Sequence, residues 1–439
     1  VVFSLLHLNP TGAEMKSHKK RYILLIIVAA VIIYGAYRII FIPEPRITGY
    51  ENLDKLPRKK RIVLTVSSEY PVGRFYVAVV QNLRQVTVVD DRDIGSEKTY
   101  ELSIEPRKLG IGDGEATVYL VAESGFFSKT EIEMETRVDT VAPEIKQVSS
   151  TPYVKQGSAG AVKVRAIGAD RVYVRIMDKK YPLLREGKNN VYRSLFPIER
   201  TVPPGTDIVV VAEDDNENVR TSVLGTTITK ASFRKEKIRI TDDFVKRHIY
   251  PLLAEEGEGL SPVEAIRHVN EVWRNEDDEV VRQLAGQTSP RFLWKKKFLQ
   301  LKNSKVFARY GDVRNYYYQG KQVSSSTHLG YDLASVRNAP VPAANAGRVV
   351  YAGPRRIYGN TIVIDHGLGL MSLYGHLSSI SVHEGQEVER GDVIGSTGST
   401  GFALGDHLHF EVLVHGVAVN PLAWWDMNWI ENKVLNVFL

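Results

Sequence analysis

His407-Leu-His-Phe-Glu-Val-Leu-Val-His-Gly416 alternates polar and apolar residues from His407 to Val412. In an extended chain, side chains two apart share a face, so His407, His409 and Glu411 point one way while Leu408, Phe410 and Val412 point the other. A helix aligns residues four apart but never two apart. The stretch therefore predicts a strand, with two imidazoles and a carboxylate on one side. Glu411 reads equally well as a support for His409 and as a peripheral sheet carboxylate.

A second pattern lies upstream. His328-Leu-Gly-Tyr-Asp332 sets an imidazole and a carboxylate four residues apart in THLGYDLAS, which also reads as a strand before a Pro-rich turn. Seven of the chain's eleven histidines fall between His328 and His415. The chain has no cysteine, so disulfides and thiolate metal sites are excluded and any metal must sit on His, Asp or Glu. Neutral imidazole plus carboxylate is a donor set for zinc, which at catalytic sites takes three protein ligands and keeps a fourth position open.

Several further motifs occur in one order: Tyr358-Gly-Asn360, Ile364-Asp-His-Gly367, Tyr374-Gly-His-Leu377, Gly385-Gln386, Gly395-Ser-Thr-Gly-Ser-Thr-Gly401 and Asn420-Pro421. With His328-x3-Asp332 and His407-Leu-His-Phe410 they give residues from about Ser324 to Trp425 a resemblance to the lysostaphin-type (LytM-like) zinc endopeptidases that cut peptidoglycan peptides. The resemblance implies a small antiparallel β catalytic domain holding one Zn2+. It assigns the metal to His328, Asp332 and His409, and the catalytic pair to His376 and His407. It also implies that His366 organises the site by hydrogen bonding. Tyr358 and Asn360, with His366, are the candidates for contacting substrate. His383 and His415 fit no ligand spacing and read as surface residues, and Asp406 reads as a solvated turn residue. VHEGQEVERGDVIGSTG also resembles the hairpins of biotinyl and lipoyl carriers, but no lysine lies between His366 and Leu422 to carry the group.

At 439 residues the chain is too long for one ordinary core. Its net charge of +6 suits an anionic membrane or wall polymer as well as nucleic acid, and no nucleic-acid motif accompanies it. Ser17-His-Lys-Lys-Arg21 precedes an apolar run from Tyr22 to Ile42. As a helix that run would span roughly 31 Å, enough for a bilayer core, with the basic flank kept cytoplasmic. A cleaved signal peptide with Gly35-Ala36 as the cut site is the competing reading. Residues 1–14 precede Met15 and fit an over-extended reading frame.

From Pro45 to Lys230, short β-branched runs are punctuated by Gly, Pro, Asp and Asn. They include RIVLTV (61–66), FYVAVV (75–80), ATVYLVAE (116–123) and DIVVVAE (207–213). LVAE at 120–123 recurs as VVAE at 210–213, which predicts two tandem modules. After Ile240 the period turns helical: Ser261-Pro-Val-Glu264 is a capping box, and Asn275 reads as the cap of a further helix. His268 there has no partner at ligand spacing.

The expected architecture is multidomain and mainly β. It comprises a cytoplasmic N-terminus and transmembrane helix (1–43), two Ig-like β-sandwiches (44–139 and 140–231), a short helical segment (232–303) and the antiparallel β catalytic domain (304–439). Such a chain would sit in the inner membrane by a single pass with its bulk in the periplasm. It would act on peptidoglycan peptides and meet envelope proteins through its sandwiches. The competing class is a non-enzymatic scaffold that activates another hydrolase.

Overall fold

The computed structural model describes residues 12–40, 43–124 and 128–439; the expectation for residues 1–11 lies outside them. Gly12–Ile40 is helical, and its large apolar side chains from Tyr22 to Tyr34 are exposed. Among the described residues no helix is long and apolar enough to cross a membrane, so the span expected over Tyr22–Ile42 finds no support there. The rest is mainly β. The chain divides into two compact units, residues 1–142 with 216–218, and residues 143–215 with 219–439.

The first unit departs from a two-sheet sandwich. RIVLTV and FYVAVV do not form separate strands but belong to one strand, Lys60–Gln81, which pairs along its length with Arg84–Ile104. The register shifts between Ser67 and Val72 and again between Val72 and Arg74. Pro71 and Gly73 therefore sit in a bulge, where a missing ladder hydrogen bond and a bend are tolerated. The half before the bulge pairs with Arg46–Thr48 and the half after it with Gly114–Ser124. Six strands thus make a single sheet that folds over a core including Leu53, Leu64, Phe75, Val77 and Leu120.

Residues 143–229 do form a sandwich, with two four-stranded sheets enclosing Val164, Val174, Phe196, Ile208 and Val210. It belongs to the same compact unit as everything that follows. Leu195, Ala159 and Ala161 share a core with Trp294, Phe298 and Trp424, and the Thr151 hydroxyl donates to the Lys433 carbonyl at 2.6 Å.

The C-terminal region is built on a sheet whose neighbouring strands include, in order, Tyr331–Ala334, Leu408–Val414, Leu370–Leu377, Gly359–Gly367 and Gly347–Arg355. All residues of Leu408–Val414 are buried, so the alternation sorts them between two cores rather than between core and solvent. Phe410, Val412 and Val414 join the Trp424 core. Leu413 on the other side packs with Ile266, Val269, Trp273 and Val281 of the helical segment. Each such Leu, Ile or Val contributes about 1.5–3 kcal/mol by burial.

That segment begins as predicted: Ser261 accepts from Glu264 N, and the Glu264 carboxylate accepts from Ser261 N. Asn275 caps nothing. Residues 262–284 run on as one helical stretch, with a wider turn at His268–Trp273, so Asn275 falls in its interior. Buried Asp277 ties the helix to the sheet by accepting from Arg355 Nε at 3.0 Å and Ile357 N at 2.7 Å. The helix thus covers the face on which His409 and Glu411 lie.

Candidate metal centre

Antiparallel register places Asp332 opposite His409, and His409 opposite Gly375 on its other side. Three adjacent strands therefore deliver Asp332, His409 and His376 to one place. His328 arrives differently. It lies in the turn before Tyr331–Ala334, not on a strand, and the 309–312 loop clasps it. His328 N donates to Asp312 O at 2.9 Å, and His328 Nδ1 donates to Arg309 O at 3.0 Å. Gly330 makes the turn possible. A Cβ there would stand 2.5 Å from Phe410 O and 2.9 Å from Glu411 Cγ.

His328 Nε2 and His409 Nδ1 are 3.1 Å apart, and each is 2.9 Å from Asp332 Oδ1. All three residues are mostly buried. Their outer atoms are already committed: His328 Nδ1 to Arg309 O, and His409 Nε2 to Glu411 Oε1 at 2.8 Å. With its outer nitrogen donating in this way, each ring when neutral carries a lone pair on its inward nitrogen. Two lone pairs and a carboxylate oxygen then converge, an arrangement that repels itself unless a cation lies among them. A proton on His409 can play that part: burial opposes the charge, yet Asp332 and Glu411 hold the pKa up at about 9, and a bound metal ion would displace that proton. Burial would raise the Asp332 carboxyl, but His328, His407 and His409 hold it well below the usual carboxylate range. The donor set, two imidazoles and one carboxylate, fits zinc.

His376 and His407 form a second pair beside the first, with ring centroids 4.8 Å apart. His376 Nδ1 donates to Thr400 O and His407 Nδ1 to Gly405 O, both at 2.8 Å. Both rings thus turn Nε2 towards the cation site, where that of His407 is 3.5 Å from Asp332 Oδ1. Burial, then the neighbouring His407 and His409, push the His376 imidazolium down to about 3, so the ring is neutral near pH 7. Its backbone is in the left-handed region at φ 62°, held there by a 2.6 Å bond from His376 N to Tyr358 O. The four histidines and Asp332 line one cavity of about 300 Å³, which Ile238, Phe244, Arg274 and Arg314 also border. Arg314 Nη2 donates to the outer oxygen of Asp332 at 3.2 Å.

Residues 326–421 match the model of Peptidase family M23. They form a peptidase family M23 domain. Over 96 residues the chain is 43% identical to the DD-carboxypeptidase/endopeptidase Mpg of Neisseria meningitidis, covering 22% of each protein. It is 43% identical to the peptidoglycan DD-endopeptidase ShyA of Vibrio cholerae over 95 residues, again 22% of each. Against the murein hydrolase activator NlpD of Escherichia coli the identity is 41% over 102 residues, 23% of this chain and 27% of that protein. The matched segment thus spans about a quarter or less of these relatives. Among solved structures, the catalytic domain of lysostaphin from Staphylococcus simulans is 29% identical and covers 30% of this chain and 98% of that one, with a TM-score of 0.26.

The remaining expected residues take varied places around the M23 site. Tyr358 is buried, its hydroxyl donates to Glu411 at 3.0 Å, and it borders the cavity of the four histidines. Asn360 is half-buried and donates to Leu377 O at 3.0 Å, next to His376. His366 is fully buried in the core, with Nδ1 donating to Ala346 O and Nε2 2.7 Å from the Ser372 hydroxyl. It does not line the histidine cavity.

Two surface assignments are corrected. His415 docks on the sandwich, 2.8 Å from the Ser194 hydroxyl and 3.1 Å from Leu195 O. Asp406 pins the turn before His407, accepting from Thr397 Oγ1 at 2.6 Å and Asn338 N at 3.1 Å. The Arg309 and Thr400 carbonyls, which orient two of the histidines, carry no side-chain signal in the sequence.

Proposed function

We propose that the chain is a zinc metalloendopeptidase that hydrolyses amide bonds in the peptide stems or crosslinks of peptidoglycan. The observation that carries this reading is the meeting of two inward-facing imidazole lone pairs and one carboxylate beside two further imidazoles that hold no ligand position. His328, Asp332 and His409 would hold the zinc, whose Lewis acidity polarises a carbonyl and lets water ionise near neutral pH.

The protein's own groups do the remaining work. His407 Nε2 and His376 Nε2 face the cation site and are suited to take a proton from the attacking water and return it to the leaving amine. Once protonated, either ring can donate to a developing oxyanion. Thr400 and Gly405 fix the tautomers that leave Nε2 available. Burial of the cavity strengthens each of these interactions.

Attachment to the inner membrane, with the bulk of the chain in the periplasm, is part of the proposal and rests on the sequence alone, where a basic cluster precedes the apolar run from Tyr22 to Ile42. The β modules would then act as spacers and as contacts for envelope proteins. NlpD, one of the relatives, is named as an activator, so a chain that recruits another hydrolase is the second reading; the complete donor set favours catalysis. The test is digestion of purified sacculi by the full chain, followed by mass analysis of released muropeptides. Release that needs zinc and is lost in His328→Ala supports the enzyme. Metal binding without any cut bond supports the activator.

A further inference from the structure

Between the sandwich and the M23 domain lies a cavity of about 1160 Å³, far larger than the one around the histidines. Its walls carry the cations Lys155, Lys230, Arg309 and Lys433, with Arg234 ion-paired to Glu236, against two carboxylates, Asp312 and Asp426. Both carboxylates are occupied locally. Asp312 accepts from Arg309 N at 3.0 Å, and Asp426 caps the next helix by accepting from Asn428 N at 2.9 Å. Tyr153 and Phe307 also line the cavity, with 61% and 67% of their surfaces exposed. Lys433 Nζ stands 5.7 Å from the Tyr153 ring centre and Lys305 Nζ 5.7 Å from that of Phe307, so cations and aromatic faces are interleaved on this surface. Phe307 lines the histidine cavity as well, so the two spaces share a wall residue.

We infer that this cavity is a second binding site for the wall polymer, taking the part of a carboxylate-bearing glycan strand that continues beyond the bond at the metal centre. Exposed aromatic faces pack against the apolar faces of sugar rings, and lysine and arginine pair with carboxylates. The wall shared with the metal cavity at Phe307 favours a distant part of the same substrate over an unrelated acidic ligand. The sandwich thereby becomes part of the substrate-binding surface, because Tyr153, Lys155 and Lys230 belong to it or to its exit. The inference rests on the proposed wall-polymer substrate but not on hydrolysis.

The test compares the full chain with Lys155→Glu/Lys230→Glu and with Tyr153→Ala, all at exposed positions away from the metal cavity. Co-sedimentation with purified sacculi measures binding whether or not a bond is cut. Cleavage of a short soluble crosslinked peptide without glycan measures the metal centre alone. The charge reversal is expected to weaken sacculus binding about tenfold or more and to flatten its salt dependence. Tyr153→Ala should weaken it at unchanged charge. Short-peptide cleavage and zinc content should match the unsubstituted chain. Sacculus binding equal to that of the unsubstituted chain overturns the inference, as does an equal loss on the short peptide. If the unsubstituted chain binds sacculi through this cavity yet cuts neither substrate, the hydrolase reading fails and the binding site stands.

Discussion

Glu411 holds His409 from behind, its Oε1 accepting from His409 Nε2 at 2.8 Å while also receiving the Tyr358 hydroxyl at 3.0 Å. A buried carboxylate in that position fixes the imidazole tautomer and raises its basicity as a ligand. Glu411→Gln or Glu411→Ala is therefore expected to lower zinc affinity by about 10–100-fold without removing a ligand, as measured by competition with a calibrated chelator. Unchanged affinity would show that His409 is oriented by its strand alone.

His407 and His409 stand two residues apart with different duties. His409→Ala should lose zinc. His407→Ala should keep stoichiometric zinc and lose about 10²–10⁴ in turnover, the usual worth of a positioned base. Metal analysis beside sacculus digestion separates the two outcomes, and loss of zinc in both variants would defeat the division of labour.

Gly359 supports the other catalytic imidazole. Its φ is +64°, and a Cβ there would run into the Thr400 carbonyl carbon and side chain. Thr400 O is the acceptor for His376 Nδ1. Gly359→Ala should cost at least about 2 kcal/mol in thermal or denaturant unfolding and reduce turnover more than zinc affinity. A variant with full activity would mean that His376 does not need Thr400.

Burial pushes the His366 imidazolium down to about 4, below the ~6.5 of an unfolded chain. The unfolded state therefore binds the extra proton between those values. The neutral ring's contribution is complete above about pH 6.5 and is lost as pH falls towards 4, on the order of 3 kcal/mol. Urea unfolding across that window should fall more steeply for the unsubstituted chain than for His366→Gln at equal metal loading. Parallel slopes would contradict the burial account.

The metal centre was legible because its chemistry is carried by side chains at short, fixed spacings: His328 with Asp332, and His407 with His409. The reason for the first spacing was not legible. His328 reaches the site from a turn that Gly330 allows, where a strand was expected. Glu411 was left open because alternation fixes its face but not what covers that face, and the covering helix comes from more than a hundred residues upstream. The same limit hid the contact of His415 with Ser194. In the first module, Pro71 and Gly73 looked like a break between two strands. They mark a bulge within one strand, since local turn chemistry does not reveal whether the neighbouring ladders continue.

The most direct test of the account is X-ray absorption at the zinc edge on the full chain reconstituted with one equivalent of metal. The account predicts a site of nitrogen and oxygen ligands only, at ~2.0–2.2 Å, with two imidazoles in the multiple-scattering signal that fall to one in His409→Ala. A folded chain that binds no zinc, or whose two-imidazole signal survives both His328→Ala and His409→Ala, would contradict it.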